Sequence, residues 1–269
     1  MGFISPASLP TGSSSVIYES LFTIEPKQKH TTTVIWFHGL GDSGHGILTA
    51  AQQISKVACF AGVKFILPIA PAMFVTGIER VMPSWFDCCS FNIPNRHEDE
   101  KGLYRAAKWF NDLITKENEE TNIPFDRIIV GGLSQGGAVA LLIGLTTTRS
   151  LAGSFALSTY IPLRKKCQRY LKSALASEIP LFWAHGQVDL QVEYGFSVNS
   201  ARTLAAQLGA PFRSIAADQR LDPVELARRG SLKGTIFCSY EKMSHTIFMN
   251  ELFNLSVWIS VLLNLLIEF

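Results

Sequence analysis

The sequence predicts one α/β domain with a mostly parallel central sheet flanked by helices. Six short runs of β-branched or apolar residues recur along the chain, and segments with helical periodicity separate them. Strands that alternate with helices usually pair in parallel, so these runs are expected to form one sheet. Of the 269 residues, 47% are hydrophobic, which is enough to bury one sizeable core. We therefore expect a single domain over residues 1–269.

The predicted elements follow one another in a regular order. The runs expected to form strands are residues 34–37, 63–67, 128–130, 153–157, 181–184 and 235–239. The helix between the second and third strands carries an apolar stripe formed by Leu103, Ala106, Ala107, Phe110, Leu113 and Ile114. Residues 194–208 are expected to form a further helix. Residues 209–233 contain several Pro, Asp, Arg and Gly residues and delay the last strand, which indicates a surface insertion.

The two ends of the chain differ in character. Residues 1–15 are Ser-rich, lack the features of a secretory signal and are expected to be flexible. Residues 252–269 are almost wholly apolar with a polar residue at every fourth position, which favours a docked helix over a membrane-spanning one. The remaining apolar surface of this helix could contact a membrane or a second copy of the chain. Peripheral membrane contact and a homodimer therefore both stay open.

Composition excludes several classes of protein. The formal net charge of +2, without a dense Lys/Arg cluster, gives no support for nucleic-acid binding. The five cysteines are an odd number and have no metal-ligand spacing, so we expect no metal site. Free thiols in a chain of this length favour a reducing, cytoplasmic location.

A nucleophile is predicted at Ser134. The strand at residues 128–130 leads into Gly-x-Ser-x-Gly at residues 132–136, and a helix of small residues follows. In this context the serine sits on a strained turn that projects its hydroxyl at the carboxyl end of the sheet. The alternative is a Gly-rich turn that happens to contain a serine.

The base and acid are predicted from the order in which they follow Ser134. In hydrolases with this strand-turn-helix nucleophile the acid comes next and the histidine last. His185 closes a predicted strand and precedes Asp189, so it does not fit this order, whereas His245 follows the last predicted strand. Asp189 comes soon after a buried strand end and is therefore the expected acid. A solvated loop histidine and a helix-capping aspartate are the alternatives.

An oxyanion-binding loop is expected at residues 38–44, directly after the strand at residues 34–37. Its glycines let the backbone approach a developing oxyanion. We expect the backbone N–H groups of Leu40 and Gln135 to be the two donors, each contributing about 3 kcal/mol in the transition state.

The chain resembles the acyl-protein thioesterase, lysophospholipase and carboxylesterase group of α/β hydrolases. The resemblance covers about residues 15–208 and 234–260, and it is carried by residues 38–46, 83–87, 131–138, 151–153 and 157–163 and by His185, Gly186 and Asp189. It implies the α/β-hydrolase fold and hydrolysis of acyl esters and thioesters without metal or cofactor. S-acylated proteins or acyl-ester lipids are the implied substrates, above all palmitoylated cysteines. The chain departs from the family pattern around Asp189, at Gln187 and Leu190.

Residues 71–87 are apolar, bounded by prolines and without a clear period. In the family that this chain resembles, the corresponding loop lines an acyl channel beside the active site. The residues expected to line it here are Val75, Ile78, Met82 and Trp85. An ordinary core-packing loop is the alternative reading.

Three functions remain open at this level. The first is acyl-protein thioesterase activity, and the second is carboxylesterase or lysophospholipase activity on small or lipid esters. Thioesters and oxygen esters pass through the same tetrahedral oxyanion, so sequence does not separate these two. The third is binding of an acyl ligand by a non-catalytic homologue. Such homologues usually lack one member of the triad.

Overall fold

A computed structural model describes residues 20–167, 175–228 and 232–265 of the chain. The strands described are β1 (Leu21–Ile24), β2 (Thr32–Phe37), β3 (Val63–Pro68), β4 (Ala72–Val75), β5 (Arg80–Pro83), β6 (Ile128–Leu133), β7 (Gly153–Leu157), β8 (Pro180–Gly186), β9 (Phe212–Ser214) and β10 (Gly234–Tyr240). The helices described are α1 (His45–Ser55), α2 (Glu100–Thr121), α3 (Gln135–Thr146), α4 (Tyr194–Leu208), α5 (Pro223–Arg228) and α6 (Met249–Leu262). The predicted flexible segment at residues 1–15 lies outside the described residues.

Eight strands form the central sheet in the order β1-β3-β2-β6-β7-β8-β10-β9. Only β1 runs antiparallel to its neighbour, and the other pairings are parallel. All six predicted strands belong to this sheet, which confirms the predicted fold class. The four-residue β1 and the three-residue β9 were not predicted, because runs this short at a sheet edge carry little periodic signal.

Helices cover both faces of the sheet, and β2 shows how its sequence divides the core. Ile35 and Phe37 belong to a hydrophobic cluster with α2 and α3, whereas Val34 and Trp36 belong to a second cluster with α1 and α6. Successive strand residues point to opposite faces, so an uninterrupted apolar run is needed where both faces are buried. The predicted stripe on α2 packs on the first cluster, and the Asp99 side chain caps the helix by accepting the Gly102 N–H.

Residues 209–233 were predicted to form a surface insertion, but part of this segment belongs to the sheet and the core. Within this segment β9 extends the sheet by pairing with β10, and α5 packs against α6. Leu226 is buried, and the Leu221 N–H donates to Asn254 Oδ1 at 2.8 Å. The segment is therefore partly integrated into the core through a short edge strand and two leucines. Residues 229–231 lie outside the described residues.

The C-terminal helix α6 docks as predicted, although it begins at Met249 rather than Leu252. Leu255, Trp258 and Ile259 are completely buried, so the helix docks on the domain through these side chains. None of the described helices is long and apolar enough to cross a bilayer. Residues 266–269 lie outside the described residues.

Candidate active site

Ser134 lies at the turn between β6 and α3 in a backbone conformation that is rare for a residue with a side chain. Its φ is 54° and its ψ is −117°. The Ser134 N–H donates to the Leu157 carbonyl at 2.8 Å, and the Thr159 hydroxyl donates to the Ser134 carbonyl at 2.6 Å. These contacts with the end of β7 hold the strained turn in place.

The glycines beside Ser134 are required by space. A Cβ on Gly132 would lie 2.3 Å from the Gly136 carbonyl carbon, and one on Gly136 would lie 2.5 Å from the His38 carbonyl oxygen. The pairing of β2 with β6 aligns Phe37 with Gly132, so the loop after β2 runs directly beside the serine. The sequence pattern Gly-x-Ser-x-Gly therefore reflects close backbone packing at this turn.

His245 and Asp189 meet at the carboxyl edge of the same sheet. They follow β10 and β8, whose ends are in register at Tyr240 and Gly186. His245 Nδ1 lies 2.7 Å from Asp189 Oδ2, and the Asp189 carboxylate is completely buried. Because a carboxylate only accepts, Nδ1 carries the proton and Nε2 is left as the basic nitrogen. His245 and Ser134 line one cavity.

Asp189 is surrounded by hydrogen-bond donors. Oδ1 accepts the N–H groups of Gln191 and Val192 at 2.8 and 2.9 Å, and Oδ2 lies 3.3 Å from His185 Nε2. Burial opposes the charged form, but the hydrogen bonds from His185 and His245 outweigh it and hold the pKa of Asp189 far below its usual range. The carboxylate therefore stays ionised beside His245.

His185 has a role that sequence reasoning missed. It is completely buried behind Asp189, and its Nε2 also lies 2.8 Å from the Val192 carbonyl. Both neighbours are acceptors, so Nε2 carries the proton and donates towards them. Chain order excluded His185 as the base, and the only sequence signal for this positioning role is its place four residues before Asp189.

The expected oxyanion donors, Leu40 and Gln135, line the cavity together with Ser134. Within the described part of the chain, neither backbone N–H has a hydrogen-bond acceptor, so both are available to a ligand. The Gln135 side chain is buried, accepts the Trp85 N–H at 2.9 Å and donates to the Phe86 carbonyl at 2.8 Å. These bonds fix the start of α3 against the segment after β5.

The loop that carries Leu40 is held by His38. The buried imidazole accepts the Ala70 N–H at Nε2, at 2.9 Å, and donates from Nδ1 to the Gly39 carbonyl, at 2.7 Å. Burial lowers the pKa of His38, so the ring is neutral, as this pair of bonds requires. The Trp85 indole N–H donates to the His38 carbonyl at 2.8 Å and fixes the loop from below.

A cavity of about 330 Å³ opens above Ser134. Its lining consists of Gly39, Leu40, Asp42, Ile78, Met82, Phe86, Cys88, Phe91, Ile93, Arg96, Leu133, Ser134, Gln135, Tyr160, Gln191, Val192 and His245. Of the four residues predicted to line an acyl channel, Ile78 and Met82 line this cavity. Val75 and Trp85 do not, because both are completely buried in the core.

The hairpin of β4 and β5, with its turn, carries the two residues that line the cavity. Residues 72–75 pair antiparallel with residues 80–83, and the turn between them carries Ile78 over the cavity. Met82 is only partly buried and reaches the same cavity, whereas Trp85 points beneath the loop after β2 and supports His38. The sequence identified the segment, but Val75 and Met82 share a face of the hairpin, so which of them faces the cavity depends on how the hairpin packs on the rest of the chain.

The arrangement has the parts needed for acyl transfer. A serine on a strained turn, an imidazole oriented by a buried carboxylate and two free backbone N–H groups share one cavity. Such a constellation suits attack of a hydroxyl on a carbonyl carbon through an oxyanion intermediate. Among the described residues, no group of three or more His, Cys, Asp or Glu side chains is placed to hold a metal ion.

Comparisons with known proteins agree with this geometry. The sequence profile of the phospholipase/carboxylesterase family matches residues 18–218. Acyl-protein thioesterase 1 of Cryptococcus neoformans var. neoformans serotype D is 40% identical over 239 residues, covering 88% of this chain and 94% of that protein. Acyl-protein thioesterase 1 of Neurospora crassa is 41% identical over 187 residues, covering 67% of this chain and 76% of that protein.

Solved structures show the same fold. Arabidopsis thaliana SOBER1 superposes with a TM-score of 0.72 at 26% identity, covering 87% of this chain and 99% of that one. Zea mays acyl-protein thioesterase 2 gives a TM-score of 0.73 at 22% identity, with 91% and 100% coverage. The likeness extends over nearly the whole of both solved chains.

Proposed function

The chain belongs to the phospholipase/carboxylesterase family of α/β hydrolases, and on this premise we propose that it is a serine hydrolase that removes acyl groups from S-acylated cysteines of proteins. The observation that carries the proposal is the cavity shared by Ser134 and His245, with Asp189 bonded behind the imidazole. The choice of substrate is supported by the 40% identity with an acyl-protein thioesterase 1.

The first half of the proposed reaction acylates the enzyme. His245 Nε2 takes the proton of the Ser134 hydroxyl as its oxygen attacks the thioester carbonyl carbon. The carbonyl oxygen becomes an oxyanion that accepts hydrogen bonds from the Leu40 and Gln135 N–H groups. Asp189 keeps the imidazole in the required tautomer and stabilises the imidazolium. The carbon–sulfur bond then breaks, and the cysteine sulfur leaves as a thiol with the proton from His245.

The second half regenerates the serine. A water molecule replaces the departed thiol, His245 accepts its proton, and the resulting hydroxide attacks the acyl carbonyl through a second oxyanion. Collapse of this intermediate breaks the bond to Ser134, which takes back its proton from His245 and releases a fatty acid. No group outside this chain, the substrate and water is needed to balance either half.

The apolar side chains above Ser134 support an acyl group as the part that is bound. Ile78, Met82 and Phe86 line the cavity on one side of the serine. Each methylene removed from water contributes about 0.8 kcal/mol, so medium and long acyl groups are expected to react better than acetyl.

A substrate panel tests the proposal. We expect the purified chain to hydrolyse an S-octanoyl or S-palmitoyl cysteine peptide with a higher kcat/KM than a lysophospholipid or an aryl ester. The matched control is Ser214→Ala on the exposed edge strand β9, which should behave as wild type. A higher kcat/KM for lysophospholipids or aryl esters would replace the proposed substrate with the alternative ones of lysophospholipase and carboxylesterase.

We also propose that the protein works in the cytoplasm and meets membranes only peripherally, where its S-acylated substrates are found. All five cysteines are free thiols, which supports a reducing compartment. Subcellular fractionation tests the location, and recovery mainly from the secreted fraction would contradict it. A homodimer stays a separate proposal, which sedimentation at micromolar concentration decides.

A further inference from the structure

Arg96 places a positive charge in the wall of the cavity above Ser134. Its Nη1 donates to Cys88 Sγ at 3.0 Å and to the Ser90 carbonyl at 3.3 Å, and its Nη2 donates to the Tyr160 hydroxyl. The guanidinium also lies over the Tyr160 ring, 4.9 Å from its centroid. Two different segments therefore hold the side chain in one position.

The partners of Arg96 are all neutral. Burial raises the pKa of Tyr160 to about 12 and raises the pKa of the Cys88 thiol, so both keep their protons near neutral pH. No carboxylate lies within ion-pair distance of Arg96 in the described ranges. Glu98 instead accepts the Leu163 N–H at 2.9 Å. The Glu98 carboxylate therefore acts on Arg96 only from beyond ion-pair distance, and an anionic ligand could bond directly to the partly buried guanidinium.

Hydrogen-bond donors remain for such a ligand. A guanidinium has five N–H groups, and the bonds above leave Nε–H and one Nη2–H of Arg96 without an acceptor among the described residues. The Tyr160 hydroxyl accepts from Arg96, and its own proton has no acceptor in the part of the chain that the structure describes. Both side chains line the cavity, and a carboxylate matches the planar geometry of a guanidinium.

The position of Arg96 indicates which part of a substrate would reach it. The Gly77 N–H, next to Ile78, donates to the Cys88 carbonyl at 2.7 Å, and the Cys88 sulfur contacts Arg96. Cys88, which also lines the cavity, therefore links Arg96 to the turn that carries Ile78. Asp42, on the loop after β2, also lines the cavity. Its carboxylate accepts the Gly44 N–H at the start of α1.

We propose that Arg96 and Tyr160 form a subsite for a carboxylate at the far end of the acyl group, so that dicarboxylic monoacyl thioesters are a preferred substrate class. The inference rests on the proposed function, because it assumes that Ser134 is acylated from this cavity. It adds to that function a charged acyl group, which an all-apolar channel would exclude.

The test compares two thioesters of N-acetylcysteamine with the same shape. One carries a glutaryl group, and in the other an isopropyl group replaces the distal carboxylate. A charge-assisted hydrogen bond corresponds to about a tenfold to hundredfold effect on kcat/KM. We expect the glutaryl-to-isostere ratio of kcat/KM to fall at least tenfold in Arg96→Met, and to stay at the wild-type value in Arg105→Met, which removes an exposed arginine of α2.

A second variant, a second thiol and a binding measurement complete the test. Tyr160→Phe removes only a hydroxyl and should lower the same ratio if the methionine variant does not fold. The proposal is overturned if the glutaryl-to-isostere ratio of kcat/KM changes in neither variant. It is also overturned if, in thioesters of mercaptopropionate in place of N-acetylcysteamine, the preference follows the charge of the thiol and not that of the acyl group. Binding of both thioesters to Ser134→Ala separates the two claims. If wild type turns over neither compound, the proposed function fails, while tighter binding of the glutaryl compound that requires Arg96 still supports the subsite.

Discussion

Replacing Asp189 with asparagine tests how the imidazole of His245 is held. The asparagine carbonyl oxygen can still accept the N–H groups of Gln191 and Val192, which lie 2.8 and 2.9 Å from Oδ1. Its NH₂ group then occupies the place of Oδ2, 2.7 Å from His245 Nδ1. An NH₂ group donates, so Nδ1 must lose its proton and Nε2 must gain one. Nε2, the nitrogen that acts as the base in wild type, then cannot accept the serine proton.

The expected loss follows from this change of tautomer. With the geometry intact and the wrong tautomer present, kcat falls by about 10⁴, which corresponds to about 5.4 kcal/mol in the barrier. The assay is steady-state hydrolysis of an octanoyl thioester by wild type, Asp189→Asn and the control Asp112→Asn, which alters an exposed residue of α2. Thermal denaturation checks that each variant is folded. A loss below tenfold in folded Asp189→Asn would refute the reasoning and point to another acid, such as Glu193.

Three further predictions concern the core, the segment at residues 209–233 and the cavity. Burial raises the pKa of Glu251 to about 8, so the folded chain keeps a proton that the unfolded chain releases, and stability falls as pH rises from the ordinary carboxyl pKa towards 8. Glu251→Gln should therefore raise Tm more at pH 8 than at about pH 5, whereas an equal change at both pH values contradicts this sign. Replacing residues 209–233 with a short Gly/Ser linker removes the edge strand β9 and should lower Tm by several degrees, and an unchanged Tm would show that the segment is a dispensable loop. Ile78→Asp should reduce kcat/KM for octanoyl thioesters at least tenfold more than for acetyl thioesters, because it puts a charge in the acyl wall. The control Val81→Asp lies on the exposed face of the same hairpin, and equal selectivity in both variants would remove Ile78 from the acyl site.

The proposed triad could be predicted from the sequence because local chemistry limits where each of its members can lie. The turn at Ser134 needs glycines on both sides, and this need leaves a five-residue pattern between a strand and a helix. Chain order then left His245 and Asp189 with few competitors. The six main strands were likewise visible, since strands buried on both faces require continuous apolar runs.

Other parts of the site left no local pattern. Ile78 and Met82 reach the cavity, whereas Val75 shares a face of the hairpin with Met82 but is buried, so the packing of the hairpin on the rest of the chain decides which side chains face the cavity. Arg96 and Tyr160 are 64 residues apart and meet only through the tertiary fold. Periodicity reports burial within one element, and contacts of this kind depend on how separate elements pack.

The central claim is that Ser134 forms the covalent acyl-enzyme. A fluorophosphonate probe reacts with an activated serine, so its site of attachment, mapped by peptide mass spectrometry, tests the claim directly. We expect one adduct, located on Ser134, and neither labelling nor octanoyl thioester turnover in folded Ser134→Ala. An adduct on another residue, or undiminished turnover in Ser134→Ala free of contaminating hydrolases, would contradict it.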